Sequence, residues 1–365
     1  MISKLLLRLV SVIKIVIVIP MRVFDIAGWT DTHFAEHGVV QGMSVFSRLF
    51  GSNHHYLGVR VELTARLAKS GPGTFHLVAP DIGIDSVFIP GVTQLDSKDL
   101  LQAALRAVGL PSGLDVTVEL SSHDVPPGAS MGTSASAVVG LVAALEYLRR
   151  GEIDANWLAR KAHEVETQEV GVECGVQDQG TVAHALGATM VDVYRYPAFN
   201  VSGIPLSQDT QERFEDSALT VVYGLPHRSG NVHLMVIKRI KRYGHLFPGL
   251  EALRVLPAEA RFCLLSGDIA NYAAVGIRNT ECQRKLHRKL ISPECQMLID
   301  IAQTNLAWGW KVNGAGGPDG GSLTIMSGGL GKEAMAEAIR KQFPDAVILE
   351  HKLATGGLQP RVTIE

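Results

Sequence analysis

A segment of small residues leads directly into an apolar run of helical periodicity: PPGASMGTSAS (residues 126–136) is followed by AVVGLVAALEYLRR and Gly151. Its glycines and other small residues allow backbone N–H groups to approach a bulky anion closely. The apolar run ends in two arginines and a glycine, which is typical of a helix C-terminus. The segment therefore predicts a loop that feeds a helix N-terminus, where unpaired N–H groups favour phosphate.

A predicted strand precedes this loop, because residues 114–120 (LDVTVEL) alternate apolar and polar side chains. The loop differs from the GxxxxGK[ST] phosphate loop, since no lysine follows its last glycine. Taken alone, the segment is equally compatible with a Ser/Gly-rich turn that only caps a buried helix.

The 365 residues, of which 46% are hydrophobic, can bury a large core, and we expect two domains that meet near residue 205. A net charge of −2 argues against a nucleic-acid surface or a polybasic membrane anchor and favours a small-molecule partner. The four cysteines are scattered without zinc or disulfide spacing, so a reducing cytoplasm is the expected location.

The first 20 residues, MISKLLLRLVSVIKIVIVIP, are apolar and basic, as signal peptides and membrane anchors are. Arg8 and Lys14 interrupt the apolar block, and no small-residue cleavage site follows it. We therefore predict a strand over Lys14–Ile19, with residues 1–13 as an N-terminal extension and no membrane association.

Charged residues interrupt the next apolar segment, MRVFDIAGWTDT (residues 21–32), at Arg22, Asp25 and Asp31. Charges within an apolar strand are costly unless they are paired or used. Arg22 is either half of an internal ion pair or a guanidinium that faces phosphate or a catalytic carboxylate.

A predicted helix over residues 155–170 carries Glu166 near its end. It is followed by GVECGVQDQG (residues 171–180), a glycine-flanked turn expected to present Gln177, Asp178 and Gln179. Asp178 is a candidate general base, although aspartates more commonly cap turns. A lone glutamate such as Glu166 is usually solvated.

A second glycine-rich stretch, KVNGAGGPDGG (residues 311–321), has five glycines in the eight positions 314–321. Such a stretch costs conformational entropy, so we expect its backbone to approach a ligand or another segment closely. A flexible hinge is the alternative.

Three of these segments together resemble the motifs of the GHMP-type small-molecule kinases, which include galactokinase, homoserine kinase, mevalonate kinase and phosphomevalonate kinase. PMRVFDIAGWTDT (20–32) resembles the first motif, PPGASMGTSAS (126–136) the phosphate loop, and KVNGAGG (311–317) the third motif. CGVQDQ (174–179) resembles the segment that carries the catalytic aspartate in the sugar-kinase branch. The motifs occur in the order of the family.

The resemblance implies an α+β fold of two domains. Residues 14–205 would form an ATP-binding domain similar to the second domain of ribosomal protein S5, and residues 206–365 a ferredoxin-like domain. The reaction implied is ATP-dependent phosphorylation of a hydroxyl on a sugar or sugar phosphate.

The resemblance also implies which residues bind ATP and Mg²⁺. The nucleotide phosphates would lie against Pro127, Gly128, Ala129, Ser130, Met131, Gly132, Thr133, Ser134 and Ala135. Mg²⁺ would be held by Ser134, with Thr133 nearby, and by Glu166, which agrees with the few protein oxygens that this ion takes.

For the reaction itself, the resemblance implies that Asp178 accepts the proton of the substrate hydroxyl and that Arg22 holds its carboxylate in the charged form. Asp31 and Thr30 would bind sugar hydroxyls. The second domain would line the site with Gly314, Ala315, Gly316 and Gly317.

The first motif lacks the GEHxD sequence of galactokinase proper, and its WTDT is more similar to fucokinases and heptose 7-phosphate kinases. A GHMP kinase for a non-sugar alcohol such as mevalonate or homoserine is one alternative. A catalytically silent relative that senses nucleotide and sugar is another. The resemblance leaves the sugar, the hydroxyl and the oligomeric state open.

Overall fold

The computed structural model describes residues 11–33, 35, 38–53, 56–122, 125, 128–224, 229–243 and 247–365. Most of the predicted N-terminal extension and Pro127 of the predicted phosphate loop lie outside these residues. The described chain contains two β-sheets, and helices cover both of them.

The first sheet has six strands in the order β14-β1-β4-β7-β5-β6. Neighbouring strands are antiparallel except for the parallel pair β5 and β7. The strands are β1 (Ile13–Ile19), β4 (Val59–Leu67), β5 (Phe75–Ala79), β6 (Ile84–Phe88), β7 (Leu114–Ser121) and β14 (Arg361–Ile364).

The second sheet has eight strands in the order β11-β12-β10-β13-β3-β8-β9, with β2 paired to β3 in addition. Its strands are β2 (Met21–Ile26), β3 (Val39–Leu49), β8 (Ala188–Arg195), β9 (Ala198–Gly203), β10 (Ala218–Gly224), β11 (Gly309–Val312), β12 (Gly320–Met326) and β13 (Val347–Leu353).

Strands from both sides of the predicted domain boundary share these sheets. In the second sheet β13 pairs with β3, and in the first sheet β14 returns to pair with β1. The boundary at residues 205/206 stays a prediction, and the structure adds that the two predicted segments are joined by backbone hydrogen bonds.

Within the described residues, four helices precede the boundary: α1 (Leu100–Val108), α2 (Thr133–Arg150), α3 (Ala155–Glu164) and α4 (Gln177–His184). The chain continues from α3 through a π-helical turn, Val165–Val170. After the boundary come α5 (Gln208–Ser217), α6 (Ser229–Tyr243), α7 (Pro248–Leu265), α8 (Ile269–Leu286), α9 (Pro293–Thr304) and α10 (Gly329–Gln342). Short 3₁₀ turns occupy Pro80–Ile82 and Arg288–Leu290.

Alternation of apolar side chains builds the core beneath the first sheet. Along β1 the isoleucines at alternate positions are buried, whereas Lys14 on the other face pairs with Glu62. Helix α2 lies close to this strand, because a Cβ atom at Gly140 would come within 2.6 Å of Val61 Cγ2 and 2.9 Å of Ile19 Cγ1. The strand predicted over Lys14–Ile19 is therefore confirmed as part of the sheet that supports α2.

In the second sheet, β10 and β12 are buried on both faces. Leu219 and Val221 of β10 join one apolar cluster with α9 and α10, and Ala218 and Val222 join another with α7 and α8. This arrangement explains why β10 reads as a nearly continuous apolar run.

Residues 196–211, which surround the expected domain boundary, contain β9 and the start of α5. The strand pairs with β8, and Ser207 caps the helix by accepting a hydrogen bond from the N–H of Thr210. None of the helices in the described residues is both long enough and apolar enough to cross a membrane.

Because α2 lies so close to β1, we expect Gly140→Ala to destabilise the folded protein. Alanine is favoured over glycine within a helix by about 1 kcal/mol. Overpacking costs about 1–3 kcal/mol, so we expect a net loss of stability in thermal unfolding.

Gly329→Ala is the matched control, because a Cβ atom at Gly329 at the start of α10 meets nothing within 4 Å. Its melting temperature should equal or exceed that of the wild type. A Gly140→Ala protein as stable as this control would contradict the packing described for α2.

Candidate active site

The second half of β2, directly after Arg22, carries a bulge. Its pairing with β3 shifts register there, and Phe24 and Ala27 adopt φ angles of 48° and 62°, which are uncommon outside glycine. Each backbone N–H is bound by an asparagine from the C-terminal half: Phe24 donates to Asn313 Oδ1 at 3.0 Å and Ala27 to Asn279 Oδ1 at 2.7 Å. These two contacts hold the unusual backbone in place.

Arg22 is 3% exposed and contacts two carboxylates. Its Nε and Nη2 atoms lie 2.7 Å from Oδ1 of Asp178, and its Nη1 lies 2.8 Å from Oδ1 of Asp25. Burial alone would lower the pKa of Arg22, but Asp178 and Asp25 outweigh it and the pKa is raised. The guanidinium is therefore a fixed positive charge between the two carboxylates.

Asp178 lies in the first turn of α4. The prediction that Gln177, Asp178 and Gln179 stand on a turn before this helix is wrong, since the helix already begins at Gln177. The cap comes from a distant part of the chain, because the Gln177 N–H donates to Asp31 Oδ2 at 3.0 Å. Asp178 is therefore positioned by a regular helix whose N-terminus is fixed to the first motif.

Asp31 lines the cavity but is only 5% exposed, and Gly175 packs against its carboxylate. Burial raises the pKa of Asp31, while the hydrogen bond from Gln177 opposes this shift. Thr30 is fully buried, and its hydroxyl donates to the carbonyl of Ala27 at 2.7 Å. Of the two residues predicted to bind sugar, only Asp31 reaches the cavity.

The glycine-rich loop ends where α2 begins, as predicted. Gly128, Ser130 and Gly132 have φ angles of 82°, 57° and 71°, so the backbone turns repeatedly before Thr133. Gly132 is the N-cap residue and provides no side chain to the helix end. The N–H groups of the first turn of α2 therefore face the cavity without a side-chain cap.

The same loop is attached to the rest of the molecule through its carbonyl groups. The Arg22 N–H donates to the Met131 carbonyl at 2.9 Å, and the Ser322 hydroxyl donates to the Ala129 carbonyl at 2.6 Å. The predicted phosphate-binding residues that line the cavity are Gly128, Ser130, Gly132, Thr133 and Ser134, whereas Ala129, Met131 and Ala135 are buried.

Two hydroxyls stand at the start of α2. Ser134 is exposed, and the buried Thr133 Oγ1 has no hydrogen-bond partner within the described part of the chain. A buried hydroxyl without a partner is costly, so its position beside the cavity fits a bound polar group. Both residues thus remain candidates for contact with phosphate or metal.

Glu166 projects into the cavity from the π-helical turn after α3, a type of turn that is frequent at functional sites. Its Oε1 accepts a hydrogen bond from Gln179 Nε2 at 2.7 Å. Burial raises the pKa of Glu166 to about 7, and the charge of Asp178 adds to this shift. A cation beside Glu166 would favour its charged form.

No group of three or more His, Cys, Asp and Glu side chains capable of holding a metal ion occurs among the described residues. Mg²⁺ does not need such a group, because it keeps several waters and uses one or two carboxylates with substrate phosphates. Glu166 with the hydroxyls of Thr133 and Ser134 fits that donor set.

The third motif reaches the cavity through its first two small residues, Gly314 and Ala315. The Gly314 N–H donates to Asp25 Oδ1 at 2.8 Å. A Cβ atom at Gly314 would lie 2.8 Å from the Ser130 carbonyl oxygen, so this position requires glycine. The two glycine-rich loops therefore touch each other at the cavity wall.

Gly316 and Gly317, also predicted to bind substrate, do not line the cavity. A Cβ atom at Gly316 would lie 2.2 Å from the carbonyl oxygen of Leu290, and Gly317 forms a β-bridge with Ile291. Their small size serves the close packing of this loop against the segment between α8 and α9.

These residues surround one cavity of about 590 Å³. It is also lined by residues that the sequence analysis did not select, among them Lys98, Trp29, Glu173 and His233. Trp29 contacts the ring of His233 edge to face at 5.1 Å, and His233 Nδ1 lies 2.9 Å from the Glu173 carbonyl oxygen. No sequence signal singled out Lys98 or His233, whereas Trp29 and Glu173 lie within segments already marked as motifs.

Comparison with known proteins agrees with the motif analysis. Residues 97–185 match the family model described as GHMP kinases N terminal domain. The chain is 33% identical over 108 residues to a galactokinase of Bacillus subtilis and 22% identical over 222 residues to a D-glycero-alpha-D-manno-heptose 7-phosphate kinase of Campylobacter jejuni. These alignments cover 28% and 60% of the chain, and 27% and 63% of the two relatives.

Among solved structures, a D-glycero-D-manno-heptose 1-phosphate kinase from Bacteroides thetaiotaomicron superimposes with a TM-score of 0.69. The match covers 96% of this chain and 98% of that structure at 17% sequence identity. This similarity shows the fold. The resemblance to GHMP kinases and the two-domain α+β fold that it implies are therefore confirmed.

The raised pKa of Glu166 predicts how Glu166→Gln changes stability with pH in metal-free buffer. From its usual value of 4.5 up to about 7, folded Glu166 retains a proton that the unfolded chain has released. Wild-type stability is therefore lost as the pH rises through this range. Glutamine does not titrate. The melting temperature of Glu166→Gln should therefore rise relative to that of the wild type between about pH 5 and about pH 8.

Melting temperatures measured in a chelator at both pH values provide the test. Parallel changes in the wild type and Glu166→Gln would show that Glu166 titrates as an ordinary solvated glutamate.

Proposed function

We propose that this protein is an ATP-dependent kinase that transfers a phosphoryl group to a hydroxyl of a sugar or sugar phosphate. The observation that carries the proposal is the position of Asp178. Its carboxylate is held by Arg22 and lies beside Gly132, where a Cβ atom would be 3.4 Å from Asp178 Oδ2. A candidate base therefore stands at the end of the candidate phosphate loop.

The loop and the start of α2 would bind the phosphates of ATP. Gly128, Ser130 and Gly132 provide close backbone approach, and the uncapped N-terminus of α2 provides N–H groups and the positive end of the helix dipole. Ser134, Thr133 and Glu166 would hold Mg²⁺. When bound, Mg²⁺ would neutralise negative charge on the phosphates.

Asp178 would orient the acceptor hydroxyl and take its proton. Both contacts from Arg22 reach Oδ1, so Oδ2, on the side of Gly132, is the oxygen we assign to the acceptor. Arg22 would stabilise charge on the transferred group. Since phosphoryl transfer needs little covalent help from the protein, positioning and charge neutralisation would supply most of the catalysis.

The acceptor would lie against Asp31, Trp29 and the segment that bears Glu173. Asp31 Oδ2 is engaged by the Gln177 N–H, so Oδ1 would accept from a sugar hydroxyl. The names of the two curated relatives support a sugar acceptor over mevalonate or homoserine.

An ADP-release assay identifies the acceptor when Mg·ATP is supplied with a panel of hexoses, 6-deoxyhexoses, heptose 7-phosphates, mevalonate and homoserine. We expect a member of the sugar group to release ADP. Release of ADP only with mevalonate or homoserine would show that the acceptor is a non-sugar alcohol. ATP binding without turnover on the whole panel would contradict a kinase and support the silent sensor.

Asp178→Asn should lower kcat by about 10²–10⁴-fold, because it removes a proton acceptor. The dissociation constant for Mg·ATP should change little, since Asp178 is not assigned to the nucleotide. Asp209→Asn, on a side chain that is 78% exposed on α5, is the control and should keep wild-type kcat. Unchanged turnover in Asp178→Asn would remove the base assignment.

Glu166→Gln should raise the Mg²⁺ concentration needed for half-maximal turnover, because one charged metal ligand is lost. A Mg²⁺ titration of kcat at saturating ATP and acceptor measures the effect. An unaltered titration would remove Glu166 from the metal site.

A further inference from the structure

A lysine lies behind the candidate site without reaching the cavity. Lys311 on β11 is fully buried, and its Nζ atom lies 3.4 Å from Asp25 Oδ2. It also donates to the carbonyl of Val312. Burial lowers the pKa of Lys311 to about 8, although Asp25 opposes this shift. A charged lysine in the interior is expensive, so its contact with Asp25 requires an explanation.

Asp25 links this lysine to the catalytic pair. Its Oδ2 faces Lys311, while its Oδ1 accepts from Arg22 Nη1 and from the Gly314 N–H, both at 2.8 Å. Arg22 in turn contacts Asp178. The four charged side chains thus form a line from the fully buried Lys311 to Asp178, whose side chain is 33% exposed.

The charges along this line balance, with two cations and two carboxylates. Without Lys311, Asp25 and Asp178 would compete for one guanidinium in a poorly hydrated interior, where charge imbalance is costly. Arg22 would then be attracted more strongly toward Asp25 and away from Asp178. Lys311 removes this competition although it does not itself line the cavity, because it reaches the site only through Asp25, which does.

We propose that Lys311 is a positioning residue of the active site: it balances the charge of Asp25 and so leaves Arg22 to act on Asp178 and the transferred phosphoryl group. This inference rests on the proposed kinase function for its effect on turnover. The charge coupling itself can be measured without turnover.

The turnover experiment compares Lys311→Met, Asp25→Asn and the double variant. Lys311→Met should lower kcat by about tenfold to a hundredfold with little change in KM for ATP, because Arg22 is displaced by a fraction of an ångström. The double variant removes one charge of each sign, and the asparagine carbonyl can still accept from Arg22 and Gly314. Its kcat should therefore recover above that of Lys311→Met.

Lys332→Met is the matched control. Lys332 on α10 is also buried, at 7% exposure, and its Nζ lies 3.3 Å from Glu350 Oε1, away from the cavity. This control should lower the melting temperature and keep wild-type kcat. A wild-type kcat in Lys311→Met would overturn the inference.

The fold decrease in kcat of the double variant is also informative. If it equals the product of the decreases in the two single variants, Lys311 only stabilises β11 locally and the inference is overturned. Should Lys311→Met fail to fold, the double variant is compared with Asp25→Asn alone. Charge balance predicts the higher kcat for the double variant, and the reverse order overturns the inference.

A stability cycle needs no turnover and separates this inference from the proposed function. It compares thermal unfolding of Lys311→Met, Asp178→Asn and the combination in the absence of substrate. Because the combination restores charge balance, its melting temperature should lie above the value expected from adding the two single shifts. Additive shifts of the melting temperature would overturn the charge coupling between Lys311 and Asp178. A wild type without kinase activity would overturn only the proposed function.

Discussion

The contact between Arg22 and Asp178 is the interaction on which the rest of the candidate site depends. It joins the first motif to a helix 156 residues further along the chain, and Arg22 is 3% exposed. A buried ion pair is stable only when both partners are held in good geometry and their remaining polar atoms are satisfied. The structure supplies that support from several segments at once.

Backbone geometry provides much of this support. Asn279 and Asn313, both from the C-terminal half, bind the N–H groups of the two residues with unusual φ angles beside Arg22. Asp31 binds the first N–H of the helix that carries Asp178. The segment that carries Arg22 is therefore held by side chains from the C-terminal half, and the helix that carries Asp178 is held by a side chain of the first motif. The site thus depends on the fold as a whole.

Features encoded locally could be predicted from the sequence. The start of α2 at Thr133 follows from glycines that precede an apolar helical pattern, and β1 follows from the alternation of its isoleucines. The α+β kinase fold followed from motifs in a family order. Arg22 and Asp25 were also marked by being charged within an apolar strand, and the structure pairs them.

Features that depend on distant contacts could not be predicted. The helical position of Asp178 was missed because its cap, Asp31, lies 146 residues away from the capped N–H. Thr30 was assigned to substrate, yet its hydroxyl is used by the turn itself. Gly316 looked like a ligand-facing glycine, but the close neighbour is the Leu290 carbonyl. Small residues indicate a close approach to the backbone, but they do not distinguish a ligand from another segment of the chain.

The fate of the γ-phosphate of ATP tests the proposed phosphoryl transfer most directly. ³¹P NMR of the protein with Mg·ATP and the acceptor sugar follows the γ-phosphate without any coupling enzyme. We predict that its signal is replaced by that of a sugar phosphate ester together with ADP. Conversion of the γ-phosphate to inorganic phosphate alone, or no loss of ATP, would contradict a site built to deliver a phosphoryl group to a hydroxyl held by Asp178.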